Sequence, residues 1–238
     1  DSLIIIINAP AHNPTGYSLT DDEWDQVIGV LKEMARGGAK RLIPLIDVAY
    51  LDYAGDKIAS RKFTQKFAGL PDNILPIFAF SMSKSFTMYG QRTGAMIGLS
   101  SSTAICQEFA DINQYTSRAT WSNINRGVMK LLAVIYNDKK LLSQVENERN
   151  EYYRLIRERA DVFIEEAAAA NLYMLPYRNG FFITVPVSDP DAVCQKLQAD
   201  NIFAVPLAKG VRFAVCAVPL VKMRGVATKV ARAMAAID

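Results

Sequence analysis

The chain has 238 residues, half of them apolar, which is enough to bury a real core in one large domain or two smaller ones. Its formal charge of +3 is small and scattered, which argues against a nucleic-acid partner. Three cysteines without metal spacing (Cys106, Cys194, Cys216) and a single histidine, His12, exclude an ordinary His-rich metal site and fit a reducing, cytoplasmic setting.

In chain order, Leu3 to Ile7 reads as a buried strand. Its apolar run from Ile4 is far too short to span a bilayer, and no charged-then-apolar leader precedes it, so no membrane partner is expected. Thr20 and Glu23 form a capping box for a helix reaching about Arg36. Leu42 to Ile46, Ile74 to Phe80 and Thr93 to Leu99 read as three further strands, and residues 101–117 and 122–137 as helices. From Lys139 to Ala170 charged and apolar residues alternate at helical spacing, the length of a helix joining two domains, although its charges read equally as a solvated face. Strands follow at Gly180 to Val187, Ile202 to Pro206 and Val211 to Val215, with helices at Asp189 to Ala199 and Val221 to Ile237. The alternation predicts an α/β protein with a mostly parallel sheet flanked by helices. Its parts are a sheet domain over 1–138, a connecting helix over 139–170 and a smaller α/β domain over 171–238.

Residues 81–92 carry the most specific chemistry: Ser-Met-Ser-Lys-Ser-Phe-Thr-Met-Tyr-Gly-Gln-Arg. They supply an amine nucleophile, hydroxyl donors and a guanidinium around one phosphorylated carbonyl cofactor, read as pyridoxal 5'-phosphate. Lys84 would form a Schiff base with its aldehyde, and Ser81, Ser83 and Arg92 would hold its phosphate by charge-assisted hydrogen bonds. In isolation the same residues read as a chance pattern around a solvated lysine. Asp47 follows the apolar run Leu42 to Ile46, at a strand's C-terminal end, where open α/β sheets bind ligands. There it can pair with the pyridine nitrogen, and the plain alternative is a helix N-cap. Tyr50 and the amide of Asn13 can both reach the ring's 3-oxygen. The surrounding His-Asn-Pro-Thr-Gly at 12–16 also reads as an ordinary turn.

Together these segments resemble the class I, fold-type I, pyridoxal-phosphate-dependent aminotransferases, particularly the aspartate and aromatic group, from Asn8 to the end of the chain. The resemblance implies the fold-type I architecture, with 1–138 as the C-terminal part of the large cofactor-binding domain. It also implies Lys84 as the Schiff-base lysine, Asp47 at the ring nitrogen, Asn13 and Tyr50 at the 3-oxygen, and Ser81, Ser83 and Arg92 at the phosphate. The Asn13–Pro14 bond is expected to be cis, a form cheap only before proline.

Residues 209–219 resemble the small-domain strand whose arginine clamps the substrate α-carboxylate, which makes Arg212 the anchor. Residues 118–123 resemble the segment that the neighbouring subunit contributes in dicarboxylate-specific members, which gives Arg118 the distal carboxylate. Without the resemblance both arginines read as surface residues. Thr87, Gly90 and Trp121 depart from the family pattern and blur only the substrate assignment.

The implied activity is transfer of an amino group between an amino acid (aspartate, glutamate or aromatic) and a 2-oxo acid, in a homodimer with shared sites. The alternatives are a lyase or decarboxylase of the same fold and a non-catalytic, cofactor-binding regulatory domain. Family members begin with a segment that holds a phosphate loop at a helix N-terminus, whereas this chain opens at the strand before His12. Asp1 is therefore expected to be an internal position, with the N-terminal half missing or on another chain.

Overall fold

A computed structural model describes residues 2–38 and 40–237, so the expectation attached to Asp1 lies outside the described residues. By internal contacts the chain divides into two units, one of residues 1–10 and 19–148, the other of residues 11–18 and 149–238.

In the first unit, β1 (Ser2–Asn8) runs parallel to β2 (Arg41–Asp47), with Asn8 opposite Asp47. Between them lies α1 (Asp21–Ala35), whose start carries the expected capping box: Thr20 N–H donates to Glu23 Oε2 at 2.7 Å, and Glu23 N–H to Thr20 Oγ1 at 3.2 Å. Trp24, Ile28, Leu31 and Ala35 recur along one helical stripe and are buried. Opposite them pack Phe63 and Phe67, from a 3₁₀ segment at Ala59–Phe67 that no pattern in the sequence marks. Trp24 stacks on Phe63 at 4.8 Å between ring centres, and Phe67 meets Phe78 edge-on at 5.4 Å.

The next strand, β3 (Ile77–Ser81), is parallel to β2 and three residues shorter at its start than the pattern suggests. Pro76 has no N–H to give a ladder, so Ile74 keeps only an isolated bridge to Leu42 and regular pairing begins at Ile77. A short helix α2 (Met82–Ser85) follows, and then β4 (Gly94–Gly98) returns antiparallel to β3. The sheet order is β1-β2-β3-β4, two parallel pairings and one antiparallel.

One expectation fails here. β1 is not buried: Leu3, Ile4 and Ile6 are 43%, 59% and 72% exposed, and among the described residues β1 pairs only with β2. An apolar run specifies a strand, but not what covers its faces. The unit continues with α3 (Thr103–Thr120), α4 (Arg126–Asn137) and the first part of α5 (Lys139–Ala169), and the division between units falls inside α5 after Glu148.

The second unit contains β5 (Phe182–Val185), α6 (Pro190–Gln198), β6 (Val205–Leu207) and β7 (Gly210–Ala214), with an antiparallel sheet of order β5-β7-β6. Its core includes Phe163, Ile183, Val185, Leu197, Val211 and Val230, all essentially fully buried. The helix expected over Val221 to Ile237 is broken into α7 (Leu220–Met223) and α8 (Val226–Ala235). Gly225 sits between them at φ +82°, and both oxygens of the Glu166 carboxylate accept from its N–H, at 2.7 and 2.8 Å. Among the described residues no helix is long and apolar enough to cross a membrane.

Candidate active site

In the first unit the site is built on the ends of two adjacent parallel strands. Asp47 is the last residue of β2 and Ser81 the last of β3. Asp47 does not cap a helix. One carboxylate oxygen accepts from Ala49 N–H at 3.1 Å and the other from Asn8 Nδ2 at 2.8 Å. Asn8 closes β1 directly opposite Asp47, and Ala9 N–H donates to the Asp47 carbonyl at 3.1 Å, so the β1–β2 pairing itself delivers the amide to the carboxylate. No motif singles out Asn8, although two polar residues ending parallel strands in register are a readable signal.

Ser81 caps α2 and accepts from Ser83 N–H at 3.1 Å. Ser83 is buried. Arg92, at φ +52°, donates from Nη1 to the Tyr89 carbonyl at 2.9 Å and makes a long 3.5 Å contact to Ser83 Oγ. The Lys84 ammonium lies 5.5 Å from the ring centre of buried Tyr50 and 4.7 Å from that of Tyr89. The structure therefore gathers Tyr50, Lys84 and Tyr89, and separately Ser81, Ser83 and Arg92, from one strand–helix–turn segment and the turn after β2. Tyr89 lies within the same segment as Lys84, yet nothing in the spacing marks its ring as a neighbour of the amine.

Arg118 stands in the last turn of α3, exposed, with Nη1 donating to Ser122 Oγ at 2.6 Å. It borders an open recess of about 600 Å³ shared with Asp111, Gln114 and Asn123.

The second unit carries Asn13 and Arg212. Asn13–Pro14 is cis, as is Ala9–Pro10 in the first unit. His12 Nδ1 lies 2.7 Å from Thr15 Oγ1, and burial pushes the His12 imidazole below its ordinary pKa. Gly16, at φ +71°, closes the loop: its N–H donates to the His12 carbonyl at 2.6 Å, and its carbonyl accepts from Arg178 and Asn179 N–H at 2.9 and 3.1 Å. A Cβ at this position would lie 2.2 Å from the Tyr177 ring, so only glycine fits both the conformation and the space. Burial raises the pKa of Tyr177, whose hydroxyl donates to the Gly180 carbonyl at 2.8 Å.

Arg212 does not face solvent freely. It projects from β7 with its guanidinium 4.4 Å from the Phe182 ring centre, and its Nη1 donates to Asn13 Oδ1 at 2.9 Å. Its Nε is buried without a hydrogen-bond partner among the described residues.

Residues 2–230 match the family described as "Aminotransferase class I and II". The chain is 29% identical over 187 residues to an aromatic-amino-acid aminotransferase of Escherichia coli K12, covering 75% of this chain and 44% of that protein. It is 31% identical over 170 residues to an aspartate aminotransferase of Pseudomonas aeruginosa, covering 70% of this chain and 40% of that protein. Among solved structures, an aminotransferase of Anaerococcus prevotii superposes with a TM-score of 0.94 at 40% identity, over 97% of this chain and 56% of that one. An aromatic-amino-acid aminotransferase of Burkholderia pseudomallei, covalently bound to pyridoxal phosphate, superposes with a TM-score of 0.81 at 26% identity, over 98% of this chain and 56% of that one. The chain thus spans about half the length of the proteins it matches.

Proposed function

Because the chain belongs to the class I and II aminotransferase family, we propose that the complete protein moves an amino group between an amino acid and a 2-oxo acid, with pyridoxal 5'-phosphate as cofactor. The observation that carries this reading is the Lys84 amine held beside Tyr50 and Tyr89, on the segment that also presents Ser81, Ser83 and Arg92. The donors fit the group. Two hydroxyls and a guanidinium suit a phosphate. An acidic side chain fixed by two N–H donors suits a protonated ring nitrogen.

When bound, the cofactor supplies an aldehyde that takes up amines and a ring that accepts the electron pair left when the substrate Cα loses its proton. Ser81, Ser83 and Arg92 would hold its phosphate, Asp47 its ring nitrogen, and Tyr50 and Asn13 its 3-oxygen. Asn8 and Ala49 hold the Asp47 carboxylate in one orientation by a hydrogen bond to each of its oxygens. Lys84 Nζ is the base that takes the Cα proton. Arg212 binds the α-carboxylate in two parallel hydrogen bonds, which fixes orientation as a lysine could not. We assign the working form as a homodimer with shared sites, in a reducing cytoplasm that suits three cysteines outside any disulfide, and the N-terminal half to a segment outside this chain.

Borohydride reduction of the complete protein with pyridoxal phosphate, followed by peptide mapping, is expected to place the added mass on the Lys84 peptide. Mass on a different lysine removes Lys84 from the site.

The two outlying arginines separate substrate classes. Arg212→Ala is expected to raise KM for every amino acid, by roughly tenfold to a hundredfold for a lost charged hydrogen-bond pair, since all donors share the α-carboxylate. Arg118→Ala should impair aspartate and glutamate and spare aromatic donors. Steady-state kinetics on one donor of each kind decides it: equal loss for both rejects Arg118 as the selector, and no loss makes it a surface residue.

A further inference from the structure

The geometry points to Thr184 as a positioning residue for substrate binding, a role that rests on the reading of Arg212 as the carboxylate anchor. β5 and β7 pair antiparallel with Thr184 directly opposite Arg212. Side chains of directly opposed residues lie on the same face of a sheet. From that face the two reach one loop: Thr184 Oγ1 donates to the Pro14 carbonyl at 2.8 Å, and Arg212 Nη1 donates to Asn13 Oδ1 at 2.9 Å. Cross-strand neighbours therefore grip consecutive loop residues, one through the backbone and one through the side chain.

The other hydrogen bonds of the loop hold different points. Ala11 N–H donates to Ser18 Oγ at 2.9 Å, His12 N–H donates to the Tyr17 carbonyl at 2.7 Å, and the Gly16 bonds fix its far end. The bond from Thr184, only 4% exposed, sets the Pro14 carbonyl and so the Pro14–Thr15 peptide, the one after the Asn13–Pro14 bond. Asn13 Oδ1 in turn orients the Arg212 guanidinium, whose face is covered by Phe182 and whose Nε is buried without a partner among the described residues. An arginine that must present two N–H groups to a planar carboxylate tolerates little rotation. Loss of the Thr184 hydroxyl leaves the Pro14 carbonyl without its buried donor. The loop then relaxes, and the guanidinium turns with Asn13.

A hydroxyl that only satisfied a buried carbonyl would affect stability and leave substrate binding alone, so the test reads both. In the complete protein, Thr184→Val keeps the shape and removes the hydroxyl. Calorimetric titration with 3-phenylpropionate, an unreactive carboxylate, is expected to show binding weakened about tenfold. KM for amino acids should rise in parallel and kcat change less than about twofold. Thr184→Ser should restore both. If valine prevents folding, Thr184→Cys carries the same expectation, being of similar size with a weaker donor. Binding within twofold of the parent in the folded valine or cysteine variant, or a serine variant as impaired as valine, overturns the role. Arg212→Ala is the control. If it leaves 3-phenylpropionate binding intact, the anchor reading itself fails. If it abolishes binding while Thr184→Val does not, only the role of Thr184 fails.

Discussion

Replacing Lys84 with alanine in the complete protein is expected to lower the rate of amino-group transfer by roughly 10⁴-fold or more, because one side chain serves as both the amine that links the cofactor and the base for the Cα proton. Lys84→Arg should be nearly as inactive. Arginine preserves the positive charge beside Tyr50 and Tyr89, but its guanidinium does not give up a proton near neutrality and is a poor nucleophile. The pair of variants therefore separates chemistry from electrostatics. Single-turnover absorbance changes on mixing with an amino acid provide the measurement, and an arginine variant retaining a tenth of the parent rate would assign the chemistry to another group.

Asp47→Ala should be the next most damaging change. The variant is expected to keep some cofactor, since Ser81, Ser83 and Arg92 are untouched, yet to abstract the Cα proton about a thousandfold more slowly, or roughly 4 kcal/mol of barrier. Asn8→Ala removes one of the two donors that aim that carboxylate and should cost far less, about tenfold, because Ala49 N–H remains. Stopped-flow traces with Cα-deuterated and ordinary substrate measure the step directly. Near-parental rates for Asp47→Ala would mean that its carboxylate only closes the turn after β2.

Much of this architecture is legible in the sequence, for reasons that differ by element. The capping box at Thr20 and Glu23 and the helix it starts are local, written within a few residues, and the structure repeats them bond for bond. The strand ends at Asp47 and Ser81 follow from apolar runs that stop abruptly. What is not legible depends on partners distant in sequence. The exposure of Ile4 and Ile6 reflects what packs on the faces of β1, and the antiparallel return of β4 reflects a connection taken up by the short α2 and a turn at Tyr89–Gln91 instead of a crossover helix. The 3₁₀ segment that carries Phe63 and Phe67 lacks a clear period, although its aromatic rings pack against Trp24. In the site, residue types and roles come from motif and resemblance, whereas Asn8 and Thr184 enter only through pairing: 39 residues separate Asn8 from Asp47, and 170 separate Thr184 from Pro14.

The stretch from Ala11 to Ser18 belongs by its contacts with the C-terminal residues, although it lies in the chain between β1 and α1. The two units are therefore interleaved in the gene, and no single cut separates them. A C-terminal fragment starting at Arg149 would have Arg212 without Asn13, Thr184 without the Pro14 carbonyl and Tyr177 without Gly16 beneath its ring. Dissecting this protein calls for circular permutation or for grafting residues 11–18 through a linker, and conventional truncation series will misreport the stability of its C-terminal half.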